Sequence, residues 1–383
     1  MNHIRGVVVF CLFMIGSVSV HAQELVPDTQ EFILALVVQI LNQETKNIPG
    51  TDTDYVYQTI QIRLIEGADA GKEMTIENDY LTLKAGERFY LMHTTNSADG
   101  RDTYSVSEPY RVPSLIWITI LFIVVVVFFG GKQGMRGLVS LSGSVALILF
   151  VLLPGILKGY SPVVLALSVS ALITTIGSYV THGFKRSTTA AVLGMLITIA
   201  LTGFLAFIAV PGTHLTGIES EDTVYLNFNT NGKIDLPGLL LGGILIGLLG
   251  VLYDAAIGQA VSVDELALAG PHLGRKKIFR RALRIGREHI GALINTLAIA
   301  YVGSALPLLL LFASSSAPIW VTLNRESFSA EIVRTFVGGI GVVLAVPITT
   351  AVATMMLVPL RERKDGEDME DEDAVVSGRH SHR

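Results

Sequence analysis

The chain has 383 residues, of which 50% are hydrophobic and 16% charged, with a formal net charge of −5 and a mean hydropathy of +0.55. Soluble domains carry roughly 25% charged residues, so this composition points to a membrane and argues against a soluble enzyme or a disordered chain. The negative balance also removes the basic field that draws a protein to nucleic acid.

Residues 1–22 read as a secretory signal. Arg5 supplies the positive start, residues 6–18 a short apolar stretch, and Ala22 the small residue at the end of Val20-His21-Ala22. The stretch is too short for a membrane span, which takes about 20 apolar residues. Cys11 is the only cysteine. Once the signal is removed the chain has none, which leaves no disulfide and no thiolate metal site.

Residues 23–112 turn polar and read as an exported β-rich domain. Residues 32–41 form an apolar run of strand length. Further on, Ile60, Ile62 and Leu64 alternate with Thr59, Gln61 and Arg63. Period two buries one face and wets the other. Glu66-Gly67, Ala70-Gly71 and Ala85-Gly86 supply turns, and Leu81-Thr-Leu83, Arg88-Phe-Tyr-Leu-Met92 and Tyr104-Ser-Val106 supply further strands. A small sheet or barrel of about five strands is expected.

Seven charge-poor stretches follow at 113–130, 137–157, 159–181, 187–210, 236–258, 290–312 and 335–360. At 1.5 Å per residue each can cross a hydrocarbon core of about 30 Å as a helix. The fold class expected is therefore mainly α, a polytopic helical membrane protein with seven transmembrane helices behind a small exported β-rich domain. The first helix, 113–130, precedes a six-helix membrane domain at 131–360. With the N-terminal domain outside, fourteen of the Lys and Arg that flank the stretches fall on the cytoplasmic side and five on the other. That bias agrees with the signal segment in placing the N-domain out and the C-terminus in. The tail, 361–383, is acidic and expected to be cytoplasmic, with eight acidic residues between 362 and 373. The six helices split three and three around the loop 211–235, a plan that secondary transporters use.

Asp254 is the only charged residue in the fifth stretch. A charge at mid-bilayer costs roughly 2.5–3.5 kcal/mol on insertion scales, so such residues are usually kept for a role. It lies about 6 Å from the cytoplasmic end of that stretch, and Asn295 enters the sixth to a similar depth. Ser178, Tyr179 and Thr354 occupy the same layer. The layer is either an inner gate or a set of interhelical hydrogen bonds that fixes the bundle. In the 259–289 loop, Ile278, Phe279, Ala282, Leu283 and Gly286 keep helical spacing, with Arg275, Lys276, Lys277, Arg280, Arg281, Arg284 and Arg287 on the other face. Such a helix is expected to lie in the interface against anionic lipid of the inner leaflet. Gly243 and Gly247 form a Gly-x-x-x-Gly pair continued by Gly250, which suits close helix packing. Pro307 and Pro347 interrupt the last two stretches, as kinks or as breaks beside a cavity.

No phosphate-binding Gly-x-x-x-x-Gly-Lys loop, no His-Glu-x-x-His pair, no aspartic dyad and no partnered Ser and His occur. His182 and His289 sit at stretch ends, where interface capping is the ordinary explanation. No catalytic residue, cofactor or metal is expected, and no nucleic acid.

Gly247-Leu-Leu-Gly-Val-Leu-Tyr-Asp254 and Gly286-Arg-Glu-His-Ile-Gly-Ala-Leu-Ile-Asn-Thr-Leu-Ala-Ile-Ala-Tyr-Val-Gly-Ser-Ala-Leu-Pro307 resemble motifs of the YibE/F-like bacterial membrane proteins. The resemblance covers roughly residues 137–360 and implies a multi-pass protein of a bacterial cytoplasmic membrane. It puts emphasis on Asp254, Arg287, Asn295, Thr296, Tyr301, Gly303, Ser304 and Pro307, but implies no biochemical activity. The function expected is a secondary transporter or permease for a small solute or ion, with Asp254 coupling a proton or cation, Asn295, Thr296, Tyr301 and Ser304 assisting, and Pro307 bending during gating. The alternative is a non-transporting scaffold or sensor whose exported β-domain binds a partner, such as another membrane protein.

Overall fold

The computed structural model describes residues 29–48, 50–67, 69–97 and 100–359. The expected signal segment and the acidic tail lie outside these residues. The chain divides into two units between Phe122 and Ile123.

The first unit holds five strands: β1 Thr29–Asn47, β2 Asp54–Leu64, β3 Glu73–Asn78, β4 Arg88–Thr95 and β5 Asp102–Pro109. They form one sheet in the order β3-β2-β1-β4-β5. The alternation in β2 buries Ile60, Ile62 and Leu64, which meet Phe89 and Leu91 of β4 in one core. Nineteen-residue β1 serves two partners. Residues 29–36 pair with β4 and residues 35–47 with β2, both antiparallel. Register shifts at Val37/Gln39 and Ile40/Asn42 mark bulges, which bend a strand and increase its twist. The curl brings edge strand β3 against edge strand β5, making a partly open five-stranded barrel. That arrangement describes architecture and assigns no ligand.

Two strand expectations change. Leu81-Thr-Leu83 is not a strand, whereas Glu73–Asn78 is. The reason is an interior amide. Gln58 is fully buried; its Oε1 accepts from Leu83 N (2.9 Å) and Asn78 Nδ2 (3.0 Å), and its Nε2 donates to Leu83 O (2.9 Å) and Gln43 Oε1 (3.0 Å). These bonds use the amide's full capacity. They bind the Leu81–Leu83 segment to a side chain where a strand would bind backbone.

The helices are α1 Val112–Leu147, a π-helical turn Ile148–Leu152, α2 Leu153–Leu157, α3 Pro162–His182, α4 Arg186–Gly212, α5 Glu221–Asn229, α6 Leu236–Ala269, α7 Arg275–Ser304, α8 Leu306–Ala313, α9 Ile319–Leu323 and α10 Glu326–Leu357. α1 begins in the first unit and continues into the second. Among the described residues, five helical runs are long and apolar enough to cross a membrane, or six with the bent pair α7–α8 as one. The first run, Val112–Leu157, has 46 residues and covers both of the first two expected spans. It is broken at Gly131, whose φ of 53° lies in the left-handed region that glycine tolerates. Just beyond, Gly134 lies against the Val126 carbonyl. Eight residues of straight helix would separate them by about 12 Å, so the chain reverses there.

Within the second unit α6 packs against α3, α4, α7 and α10. Its Ile244, Leu245, Leu248 and Leu252 are fully buried. The sixth expected span differs in form. The basic stretch does not lie as a separate interface helix but forms the first turns of continuous α7, and the break comes later, with a 66° bend into α8. Ala305 and Pro307 fall at this bend, since proline suits a helix start. Pro347 stays inside α10, which runs on through it.

Candidate functional site

α6 outruns its expected span by eleven residues, to Ala269, carried by buried Gln259, Ala260 and Val263. Asp254 is thereby near the middle of the helix. It lines a cavity of about 350 Å³ with Gln259 and Ser262 of α6, Gly286, His289 and Leu293 of α7, and Val346 of α10. Three helices thus share one chamber. Asp254 is exposed to it and has no hydrogen bond or ion pair among the described residues. Gln259 is different: it is 3% exposed, and its Nε2 donates to Ala282 O at 2.7 Å, holding α6 to α7. Gly286 is required at that crossing, because a Cβ there would meet Gln259 Oε1 at 2.5 Å.

His289 and Gln259 are the site residues that sequence reasoning missed. The Asp254–His289 juxtaposition joins residues 35 apart on different helices, and no local pattern announces it. The expected neighbours are elsewhere. Asn295 and Thr296 are exposed and not among the lining residues, and Thr296 Oγ1 donates to Ala292 O of its own helix at 2.9 Å. Ser304 is exposed and donates to Tyr301 O at 2.8 Å, and neighbouring Gly303 faces open space. Ser178 and Thr354 are buried with unpartnered hydroxyls, and Tyr179 donates to Thr189 Oγ1 at 3.2 Å. The polar layer is therefore distributed, and only Asp254 of it faces the chamber.

The glycine face of α6 also differs from expectation. At Gly243 and Gly250 an added Cβ meets nothing within 4 Å, while at Gly247 it would meet the Tyr301 hydroxyl at 2.6 Å. A Cβ on Gly242, about 100° round the helix from Gly243, would meet the Ala166 Cβ at 3.1 Å, so close packing falls on that neighbouring face. Among the cations, Arg275 turns inward: Nε donates to Val358 O (2.7 Å) and Nη2 to Met355 O (2.9 Å), at the carboxyl end of α10. Lys276, Arg280, Arg281, Arg284 and Arg287 are exposed and Lys277 is half-buried. The apolar face opposite them is covered by protein, with Ile278 and Ala282 in the bundle core.

A second chamber of about 290 Å³ has apolar walls that include Leu152, Ile156, Ala166, Leu240 and Ile246, with Glu219, Thr223 and Arg334 as its polar edge. Arg334 Nη2 reaches both oxygens of Glu219, at 2.8 and 2.9 Å, and Nη1 pairs with Glu331.

Among the described residues no three His, Cys, Asp or Glu side chains come together as a metal ion would need. The lining of the first chamber includes one carboxylate, Asp254, and one imidazole, His289.

The family model described as YibE/F-like protein matches residues 118–359, more than half of the chain. No curated protein and no solved structure matches it.

Proposed function

We propose that this chain, which belongs to the YibE/F-like family, is a secondary transporter of the bacterial cytoplasmic membrane in which Asp254 carries a proton or a small cation. One observation carries the reading: a carboxylate without a fixed partner lines a chamber shared by three helices. A carboxylate that only ordered helices would be spent on an interhelical bond. Here Gln259 makes that bond, and Asp254 is left to exchange its charge.

The chain crosses the membrane seven times in this reading. The 46-residue first run would be about 69 Å long if straight, more than twice the hydrocarbon core, and its reversal at Gly131 supports two crossings. The β-barrel is outside and the C-terminus inside, following the distribution of Lys and Arg. Exposed Tyr225 and Phe228 on α5 and Trp320 on α9 suit the outer interface, where aromatic rings anchor. The exposed cations of α7 suit anionic headgroups at the inner leaflet.

Asp254 takes its proton or cation from the inner side, in the cavity that His289 also lines. The bend at Ala305 gives α7–α8 a place to flex when that charge is neutralised. The test is proton movement into proteoliposomes, read by an entrapped pH dye under a valinomycin-imposed potassium potential. Wild type should conduct, and Asp254→Asn, which keeps shape and removes charge, should lose at least tenfold. Equal rates in both across the pH range would defeat the reading.

A further inference from the structure

We propose that Glu331 is a second proton-binding site, paired with Arg334, whose guanidinium borders the apolar chamber. The charge count comes first. Glu219 and Glu331 share the single guanidinium of Arg334. Their side chains are only 24% and 25% exposed, and that of Arg334 17%. With all three ionised, the cluster holds one negative charge too many in a partly desolvated place, where unpaired charge is costly.

The geometry shows where that excess falls. Both Glu219 oxygens are engaged by Arg334, as is Glu331 Oε1. Glu331 Oε2 is buried and has no hydrogen-bond partner, and so is the Tyr301 hydroxyl. Tyr301 is within electrostatic reach of both Arg334 and Glu331. A buried ionised oxygen without a donor pays its full desolvation cost. A proton on Oε2 removes the charge and gives the oxygen a hydrogen to share, and Tyr301 brings an equally unpartnered oxygen into the same cluster. The groups facing Glu331 are Arg334 on its own helix, Glu219 from the loop before α5, and Tyr301 from α7. The binding step is simple: the carboxylate takes one proton from hydronium, water is released, and the cluster passes from −1 to neutral.

The place of Tyr301 gives this site a neighbour. Its hydroxyl lies over Gly247, seven residues before Asp254 on α6, which is two turns along one face and about 10 Å. Tyr301 thus reaches the helix that carries Asp254. The Glu331 site nonetheless stands whether or not Asp254 couples transport.

The experiment is infrared difference spectroscopy of the full chain in lipid nanodiscs through pH steps. Wild type should show the carbonyl stretch of a protonated carboxyl that persists above the pH range in which ordinary carboxyls lose it. Glu331→Gln should lose it and Asp254→Asn should keep it. Absence of the band in wild type, or its survival in Glu331→Gln combined with Asp254→Asn, which removes any contribution of Asp254, overturns the site. Should Glu331→Gln fail to assemble, Tyr301→Phe supplies the reading: the band should move when the hydroxyl is removed, and an unmoved band overturns the proposal.

Discussion

Thr349 of α10 fills the space that a side chain on Gly194 of α4 would need, and the relation repeats in reverse eight residues along. There Gly341 of α10 receives Thr202 of α4. The two helices run antiparallel and exchange glycine for threonine at both contacts. The contacts differ in what touches. A Cβ on Gly194 would meet the Thr349 Cα and Cβ, both at 2.9 Å. A Cβ on Gly341 would meet mainly the Thr202 side-chain tip, with Cβ at 3.3 Å. Overpacking of this kind costs about 1–3 kcal/mol. Gly341→Ala should therefore lower thermal stability in detergent and be largely rescued by Thr202→Ala. Gly194→Ala should be as damaging but not rescued by Thr349→Ala. Equal rescue at both contacts would mean that the helices are less close than described.

In the barrel, Gln58→Leu should be more harmful than its similar size suggests. The leucine would suit the apolar surroundings, but the Leu83 N–H and C=O would lose their partners. Leaving a buried polar group unpaired costs about 1–3 kcal/mol. The expected sign is faster proteolytic cleavage of the full chain between β3 and β4, since Gln58 and Asn78 make the side-chain hydrogen bonds that tie Leu81–Leu83 to the sheet. Unchanged cleavage would show the segment to be held by other contacts.

The apolar spans and the period-two face of β2 could be read from the chain because each signal is local. The chamber around Asp254 could not, because its wall comes from α6, α7 and α10. Amphipathic spacing at Ile278, Ala282 and Gly286 showed that one face of the helix is buried, but spacing cannot tell burial in lipid from burial in protein. Glycines raise the same difficulty. Gly243 and Gly247 look like a packing pair, yet Gly243 faces open space and Gly247 meets a single tyrosine side chain, while the threonine contacts of Gly194 and Gly341 carry no such signature. Gln259 read as one more polar residue near a span end, and only the position of the Ala282 carbonyl gives it its work.

Asp102 should make the barrel acid-sensitive. Its carboxylate accepts from Thr95 Oγ1 at 2.8 Å and faces His93 Nε2 at 2.9 Å. The Thr95 bond, then the His93 bond, hold its carboxyl below the usual range. A group whose folded pKa is depressed contributes stability above its unfolded value, near 3.9, and loses it as pH falls through the folded one. The melting temperature of the barrel should thus be insensitive to this group at neutral pH and fall below about pH 4. Asp102→Asn should flatten that acid limb. An acid limb identical in the two proteins would show that other carboxylates set it.

Arg275 supplies the last prediction because its geometry runs against its sequence context. It opens a run of cations, yet its guanidinium donates to Met355 O and Val358 O. The final carbonyls of a helix have no partner within the helix and carry partial negative charge. A guanidinium there both bonds and neutralises them, a contribution of about 1–2 kcal/mol. Arg275→Ala should raise hydrogen exchange over the last turns of α10 while leaving exchange in α4 unchanged. Arg275→Lys should restore part of the protection, since an ammonium keeps the charge but not the two-pronged donor set. Arg284→Ala, exposed on the same helix, should leave α10 protected. If both alanine variants loosened α10 alike, the effect would belong to net charge at the membrane surface rather than to this contact.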